Sequence, residues 1–292
     1  MKKLKIGIVG FGNWGKKIYQ TLKSFSNCEI VAICDKENLK LNEKIIITDD
    51  YHDLIKRRLD GVIIATPNET HYEIANKFLL SNINLFVEKP LATSYKEALF
   101  LINLAQKKNL NLFTGHILLY HPLTWQFKKY LKKFKDNLRL KIIRTNNFLT
   151  HKDSKKILYD FAPHDISLIL FLLEKDFDNF KKKLEINKGL INFDFLIEER
   201  IQISGEWGEN PLGKERIVMV ELDGKKIVFD DNLTILKFME NKKERFVQKI
   251  DRKLPLYWEL KFFLNSLINK KIREFIPTEK VMKIIDELEK LL

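Results

Sequence analysis

The most constraining feature of the chain is a glycine-rich turn between an apolar run and a helical pattern near the N-terminus. In "KLKIGIVGFGNWGKKIYQ", Gly10, Gly12 and Gly15 have the spacing G-x-G-x-x-G. The first glycine of such a pattern permits a tight turn, the second lets a pyrophosphate approach the backbone, and the third allows close packing of helix on strand. We therefore predict a dinucleotide site at the N-terminus of the helix. The intervening residues of this site are Phe11, Asn13 and Trp14.

An acidic residue after the second apolar run supports this interpretation. Asp35 follows "EIVAIC" and lies 20 residues after Gly15. A carboxylate at this position can accept hydrogen bonds from both ribose hydroxyls of a dinucleotide. The same carboxylate would repel a 2′-phosphate, and "CDKENLK" contains no arginine that could bind one. The sequence therefore favours NAD over NADP as the cofactor.

Short apolar, β-branched runs alternate with helical patterns over the first 115 residues. The runs are "KLKIGIVG", "EIVAIC", "KIIIT", "GVIIAT", "INLFVE" and "LNLFTG". Such alternation predicts an α/β fold with a doubly wound, mostly parallel sheet covered by helices. Ser94 and Glu97 form a capping-box pattern that opens one of these helices. We predict an NAD-binding Rossmann domain over residues 1–116.

Composition limits the classes of function. The chain has 292 residues, of which 45% are hydrophobic, and a formal net charge of +13. No apolar run reaches the roughly 18–20 residues of a membrane span, and the N-terminus has no secretion-signal pattern, so we expect a cytoplasmic protein with no membrane partner. The lysines are scattered along helical patterns without a nucleic-acid-binding motif, so we expect no nucleic-acid partner. The cysteines and histidines match no metal-ligand spacing, which predicts no metal site.

A second candidate site lies in "ILYDFAPHDISLILFLL", residues 157–173. The dense apolar run predicts a buried helix, and we expect Pro163 to mark its first turn, where a missing N–H costs nothing. Asp165 would then complement the positive end of the helix dipole, and the same field would keep His164 neutral and able to accept a proton. Asp160 could orient the imidazole and stabilise its protonated form. The alternative is a helix-start histidine that is hydrogen-bonded to the backbone.

Further motifs follow in a characteristic order along the chain. They are "ATPNETH", "VEKPLATS", "GHILLYHP" and "DFAPHD". Together with the glycine pattern they resemble the glucose-fructose oxidoreductase and inositol dehydrogenase family, also called Gfo/Idh/MocA. The resemblance covers essentially the whole chain and implies a C-terminal α+β domain, residues 117–292, for substrate binding and oligomerisation. The domain would contain an open, mostly antiparallel sheet whose far face builds homodimers or homotetramers, and its last helices could pack back on the first domain.

The resemblance also implies roles for individual residues. Lys89 matches the lysine that reaches the reacting hydroxyl, and Asp160 and His164 match the family's catalytic pair. Whether Lys89 or His164 is the base is left open. The further residues expected to contact the cofactor are Thr66, Pro67, Asn68, His71 and Glu88, together with Lys89 itself.

The implied substrate is a small carbohydrate. His116 and Tyr120 match positions that line the family's substrate pocket, although the "YHP" that begins at Tyr120 departs from the family's usual Tyr-Asn-Pro or Arg-Phe-Pro ending. "RTNNFLTHKD" resembles the branch that oxidises the sugar of a nucleotide-linked hexosamine or its uronate. Arg144, His151 and Lys152 are then candidates to meet a phosphate or carboxylate.

The implied activity is NAD-dependent transfer of a hydride from a ring hydroxyl of a sugar, sugar nucleotide or cyclitol. One alternative is an enzyme that retains NAD and uses transient oxidation for transhydrogenation, epimerisation or glycoside cleavage. Another is a noncatalytic NAD-binding regulator. A regulator would need the glycines and Asp35 but not Lys89, Asp160 and His164, so the joint presence of these three residues argues against it.

Overall fold

A computed structural model describes residues 3–292 except 38, 40, 42–43, 133–137, 148–152, 176–179, 188, 211–212, 223, 242 and 270–273. The chain divides into two compact units. The first unit comprises Met1–Ile117 and Leu256–Met282, and the second comprises Leu118–Pro255 and Lys283–Leu292. The first unit therefore contains a C-terminal segment in addition to the N-terminal residues.

The first unit is built on a six-stranded parallel sheet with the strand order β3-β2-β1-β4-β5-β6. This order reverses between β1 and β4, which is the switch point of a doubly wound sheet. The strands are β1 (Leu4–Val9), β2 (Cys28–Cys34), β3 (Ile46–Thr48), β4 (Gly61–Ile64), β5 (Asn84–Glu88) and β6 (Leu112–Gly115). The predicted Rossmann fold is confirmed.

Helices connect these strands, as parallel pairing requires. They are α1 (Asn13–Leu22), α2 (His52–Ile55), α3 (His71–Leu80) and α4 (Tyr95–Lys107). The hydroxyl of Ser94 accepts the backbone N–H of Glu97 at 3.3 Å, so Ser94 caps α4 as predicted. Most residues of β1, β4 and β5 are buried, whereas the edge strand β3 is not buried, as expected for a parallel sheet covered by helices.

Helices α7 (Leu254–Ile268) and α8 (Thr278–Glu289) follow near the C-terminus. Leu260, Phe263 and Leu264 of α7 are buried in the same apolar cluster as Ile6 and Ile8 of β1. The residues of α7 that belong to the first unit thus complete its core.

The second unit contains an eight-stranded sheet with the order β14-β13-β12-β11-β7-β10-β9-β8. The strands are β7 (Arg139–Asn146), β8 (Lys181–Asn187), β9 (Leu190–Ile197), β10 (Ile201–Glu209), β11 (Arg216–Leu222), β12 (Lys225–Asp230), β13 (Ile235–Glu240) and β14 (Lys243–Lys249). Among the described pairings, β7 with β10 is parallel and the others are antiparallel. The predicted mostly antiparallel sheet is confirmed. The remaining helices are α5 (Pro122–Leu131) and α6 (Ser154–Leu173).

Helix α6 begins earlier than the sequence predicts. Asp153 occupies its N-cap position and accepts the backbone N–H of Lys155 at 2.9 Å, while Pro163 lies inside the helix. The prediction that Pro163 marks the first turn is therefore wrong. A proline in a helix interior removes one backbone hydrogen bond, a loss that burial of many apolar side chains on this helix can outweigh. His164 and Asp165 lie far from the positive end of the helix, so the dipole argument does not apply to them.

Asp165 instead fastens α6 to the sheet. Its two oxygens share the single N–H of Nε of Arg144 at 2.8 and 3.0 Å, and one of them also accepts a hydrogen bond from Nη2 at 2.7 Å. It also accepts the indole N–H of Trp207 at 2.8 Å. Arg144 on β7 and Trp207 on β10 are register partners, and all three side chains are buried. Two neighbouring strands therefore supply the donors for one carboxylate of the helix.

Three sequence predictions concern membrane-spanning helices, metal sites and the two cysteines. No helix within the described ranges is both long and apolar enough to cross a lipid bilayer. In those same ranges, no three or more His, Cys, Asp or Glu residues are arranged to hold a metal ion. Burial raises the pKa of the free thiols of Cys28 and Cys34 to about 12 and about 11, so both are protonated at neutral pH.

We expect Arg144→Met to lower the free energy of unfolding by about 3–5 kcal/mol, because it leaves the carboxylate of Asp165 buried without its counter-charge. Urea denaturation monitored by circular dichroism measures this change. Lys155→Met is the matched control, since Lys155 pairs with Glu289 in a half-exposed salt bridge and should contribute at most about 1 kcal/mol. Similar losses for both variants would contradict the anchoring role of Arg144.

Candidate active site

The glycine-rich turn between β1 and α1 is as tight as its spacing predicts. Gly10 has a φ of +93°, and a Cβ atom there would lie 2.5 Å from the carbonyl oxygen of Ala65. A Cβ atom on Gly15 would lie 2.1 Å from the carbonyl oxygen of Gly10, so only glycine permits this approach of helix to strand. Gly12 faces open space: apart from its chain neighbours, no described atom comes within 4 Å of a Cβ built there. Gly12 is also the N-cap of α1, so there is room where backbone N–H groups can bind phosphate.

The carboxylate of Asp35 lies beside this turn. One of its oxygens accepts the backbone N–H of Phe11, and the other accepts that of Glu37 at 2.9 Å. The backbone N–H of Gly10 donates to the carbonyl oxygen of Cys34 at 2.8 Å, which holds the end of β2 against the turn. A carboxylate has about four acceptor positions, so Asp35 retains capacity for ribose hydroxyls. The arrangement therefore fits a dinucleotide.

The loop that contains Thr66, Pro67 and Asn68 follows β4 and leads into α3. His71 begins α3 and is fully buried. Its Nδ1 lies 2.7 Å from the carbonyl oxygen of Pro90, and its Nε2 lies 2.8 Å from that of Thr66. Burial lowers the pKa of His71, and a neutral imidazole donates from only one nitrogen. In the neutral form only one of these two contacts is therefore a hydrogen bond, although the ring packs against both loops, and a cofactor contact by His71 stays a prediction.

Glu88 ends β5 and contacts the glycine-rich turn. Its carboxylate accepts the indole N–H of Trp14. A Cβ atom on Gly115 would lie 2.9 Å from Oε2 of Glu88, so the absence of a side chain there makes room for the carboxylate. Burial raises the pKa of Glu88 to about 7, against the lowering effects of the Trp14 N–H and of Lys89. Lys89 itself is partly exposed at the end of the strand.

Two further acids, which sequence reasoning missed, lie inside the first unit. Glu259 on α7 is 1% exposed, and neither carboxylate oxygen has a hydrogen-bond partner among the described residues. Glu274 accepts the backbone N–H of Thr114 at 2.5 Å and the hydroxyl of Thr278 at 3.1 Å. Burial raises the pKa of Glu274 to about 7. Burial, followed by the charges of Glu88 and Glu274, raises the pKa of Glu259 well above its ordinary value. The signal for Glu259 was a single acid within the apolar run "LYWELKFFL".

His116 also lies in the first unit and is 3% exposed. Neither of its ring nitrogens has a hydrogen-bond partner within the described part of the chain. Burial, together with the charge of Lys89, lowers the pKa of His116 to about 4. A neutral imidazole with unused nitrogens in the neighbourhood of Lys89 is suited to bind a hydroxyl group.

Tyr120 and His121 belong to the second unit and are both buried. His121 is the N-cap of α5, and its Nδ1 accepts the backbone N–H of Leu123 at 3.1 Å. The departure from the family's usual ending thus has a structural role, because histidine here caps a helix. The substrate contact of Tyr120 stays a prediction.

Asp160 and His164 lie four residues apart in α6, so their side chains occupy the same face of the helix. Both are partly exposed. His164 is the one residue between Phe161 and Leu172, all of which are described, that is not buried. An otherwise buried helix therefore presents the predicted pair on one accessible strip.

Three residues were predicted to contact a phosphate or carboxylate of the substrate: Arg144, His151 and Lys152. Arg144 is 2% exposed and its guanidinium charge is already balanced by Asp165, which corrects the expectation that it meets a substrate phosphate or carboxylate. His151 and Lys152 lie outside the described residues.

The parallel sheet with its switch point, the glycine-rich turn and the acid after β2 together define a dinucleotide-binding Rossmann fold. Residues 4–116 match the family model GFO_IDH_MocA, described as an oxidoreductase family with an NAD-binding Rossmann fold. The resemblance to the Gfo/Idh/MocA family seen in the sequence is therefore confirmed for residues 4–116.

Known proteins similar to the chain carry several activities. The inositol 2-dehydrogenase/D-chiro-inositol 3-dehydrogenase of Lactiplantibacillus plantarum is 28% identical over 190 residues, 61% of this chain and 54% of that protein. The 2,7-anhydro-N-acetylneuraminate hydratase of Mediterraneibacter gnavus is 30% identical over 122 residues, 40% of this chain and 33% of that protein. The aligned segments thus span about half and a third of these relatives.

A solved structure shares the fold over nearly the whole chain. It is a variant of a 3-ketoreductase from Actinomadura kijaniata in complex with TDP-benzene and NADP. The TM-score is 0.85 at 13% sequence identity, and the match covers 99% of this chain and 98% of that one.

The glycine-rich turn leads to a test that separates folding from cofactor binding. Gly15→Ala should lower the free energy of unfolding by about 2–3 kcal/mol, because its Cβ atom would overlap the backbone of Gly10. Gly12→Ala should change it by less than about 1 kcal/mol while weakening dinucleotide binding. Urea denaturation and isothermal titration with NAD measure the two effects. Unchanged NAD affinity in Gly12→Ala would contradict the site.

Proposed function

We propose that the protein is an NAD-dependent oxidoreductase that acts on a ring hydroxyl of a sugar, sugar nucleotide or cyclitol. The observation that carries this proposal is the contact between Trp14 and Glu88. It brings the dinucleotide-binding turn and the segment of Lys89 together in one compact unit. A bound nicotinamide supplies the acceptor for the hydride.

The chain's own residues supply cofactor binding and proton handling. The N-terminus of α1 binds the phosphates, and Asp35 accepts hydrogen bonds from the ribose. Lys89 donates a hydrogen bond to the reacting hydroxyl oxygen and stabilises the negative charge that develops on it. His164 accepts the hydroxyl proton, and Asp160 on the same helical face stabilises the imidazolium.

The substrate is proposed to be a neutral ring polyol or a sugar attached to a nucleotide. His116 supports this choice, because its neutral ring offers one donor and one acceptor to neighbouring hydroxyl groups. The relatives named as an inositol dehydrogenase and as a UDP-N-acetylglucosamine 3-dehydrogenase represent these two substrate classes.

A second candidate is an enzyme that retains NAD and oxidises its substrate only transiently. The relative named as a hydratase favours it, because a hydration involves no net oxidation. The two candidates differ in one measurable property. A dehydrogenase reduces added NAD in proportion to the substrate consumed, whereas an NAD-retaining enzyme is isolated with bound cofactor and turns over without added NAD.

We expect NAD to raise the melting temperature more than NADP at equal concentration, because Asp35 repels a 2′-phosphate. A ligand that binds only the native state at a hundred times its Kd adds about 2.7 kcal/mol of stability, so the difference is measurable by differential scanning fluorimetry. Asp35→Asn keeps an acceptor but removes the charge and should narrow the difference. A larger shift with NADP in the parent protein would overturn the preference for NAD.

We also expect Lys89→Met and His164→Ala to retain NAD binding and to lose turnover by roughly a hundredfold or more, the scale of a lost acid or base. Reduction of NAD with myo-inositol and UDP-N-acetylglucosamine as substrates measures turnover. Lys96→Met and His52→Ala change exposed residues and serve as matched controls. Loss of NAD affinity in parallel with turnover would make Lys89 and His164 cofactor-binding or folding residues.

A further inference from the structure

Lys89 is flanked by two residues that are each held by a separate contact. Before it, the carboxylate of Glu88 accepts the indole N–H of Trp14. After it, the carbonyl oxygen of Pro90 lies 2.7 Å from Nδ1 of His71. The backbone of Lys89 is therefore fixed from both sides within the first unit.

Each of these contacts leads to a different dinucleotide-binding segment. Trp14 lies in the glycine-rich turn, between Gly12 and Gly15. The second nitrogen of His71 lies 2.8 Å from the carbonyl oxygen of Thr66, in the loop expected beside the ribose and nicotinamide. Trp14 and His71 thus connect both segments to the residues next to Lys89.

We propose that Trp14, Glu88 and His71 are positioning residues that couple the placement of Lys89 to both dinucleotide-binding segments. This inference rests on the proposed function, which gives Lys89 its role at the substrate hydroxyl. None of the three residues takes part in the transfer itself. They set where the lysine stands when the dinucleotide is bound.

The charge on Glu88 determines the strength of one of these contacts. An indole N–H bonds more strongly to a carboxylate than to a neutral carboxyl group. The charged and titratable groups near Glu88 are the adjoining Lys89, the buried Glu259 on α7 and, acting on Glu259, Glu274. His116 lies near Lys89 and is neutral. Glu259 has no described hydrogen-bond partner, so ionising both Glu88 and Glu259 is unfavourable. Because burial raises the pKa of Glu88 to about 7, its carboxylate becomes protonated and the Trp14 contact should weaken as pH falls through about 7.

The first experiment compares Trp14→Phe with Trp258→Phe. Both tryptophans have a lysine over the ring, Lys17 at 5.1 Å and Lys261 at 4.7 Å, but Trp258 lies outside the network. Trp14→Phe should raise the Kd for NAD and lower kcat by about tenfold each, the scale of one hydrogen bond to a charged group. Trp258→Phe should change neither. Equal values for the two variants would overturn the proposal.

The second experiment uses the protein without cofactor, so it does not depend on the proposed activity. The emission of Trp14, taken as the parent spectrum minus that of Trp14→Phe, should change between pH 5 and 9 with a midpoint near pH 7. In the Glu88→Gln background the same difference should be independent of pH, since the amide oxygen accepts the N–H but does not ionise. A flat parent profile, or an unchanged titration in Glu88→Gln, would overturn the role of Glu88.

A third experiment tests the contacts of His71 with two matched variants. His71→Phe removes both carbonyl contacts while keeping an aromatic ring, and His52→Phe makes the same change at an exposed position. His71→Phe should lower kcat about tenfold more than His52→Phe does. No difference between the two would remove His71 from the proposal. Full turnover in Lys89→Met would instead refute the proposed function while leaving the emission titration intact.

Discussion

The buried carboxylate of Asp165 fixes the position of α6, which carries two of the three candidate catalytic residues, Asp160 and His164. Helix α6 is so apolar that hydrophobic burial alone would tolerate several rotations of the helix on the sheet, because burial is not directional. The hydrogen bonds from the guanidinium of Arg144 and the indole N–H of Trp207 are directional, so they restrict the rotation of α6 and its position along the sheet. That rotation places Asp160 and His164 on the accessible strip. An interaction that contributes to stability therefore also sets the position of the predicted Asp160–His164 pair.

The N-terminal part of the first unit, Met1–Ile117, could be predicted largely from the sequence, because its signals are local. The six strands, the cap at Ser94 and the tight turn at Gly10 each depend on residues within a few positions of one another. The order of the motifs then indicated the family before any contact was known. The candidate residues Asp35 and Glu88 also follow from position alone, since Asp35 directly follows β2 and Glu88 ends β5, on the edge where parallel sheets bind ligands.

What the sequence could not predict depends on distant partners. Pro163 resembles a helix start locally, and only the cap at Asp153 and the packing of the whole helix show that it lies inside α6. Asp165 has the spacing of a helix-dipole residue, yet its partners lie 21 and 42 positions away along the chain. Glu259 resembles a solvated side chain until its burial beside other carboxyl groups is seen. In each case packing against residues distant in the sequence overrides the preference that the local sequence indicates.

The position of β7 between β11 and β10 in the second sheet has a consequence for folding during synthesis. Arg139 in β7 pairs with Gln202, 63 residues later, and Arg144 pairs with Arg216, 72 residues later. Hairpins such as β8 with β9 and β12 with β13 close over short distances, so they can assemble as soon as they emerge from the ribosome. Strand β7 emerges before all of them and has no described strand neighbour until β10 and β11 have followed. Its apolar residues Leu140 and Ile142 must then be shielded during synthesis, which makes β7 the segment of this unit most exposed to aggregation and to chaperone binding.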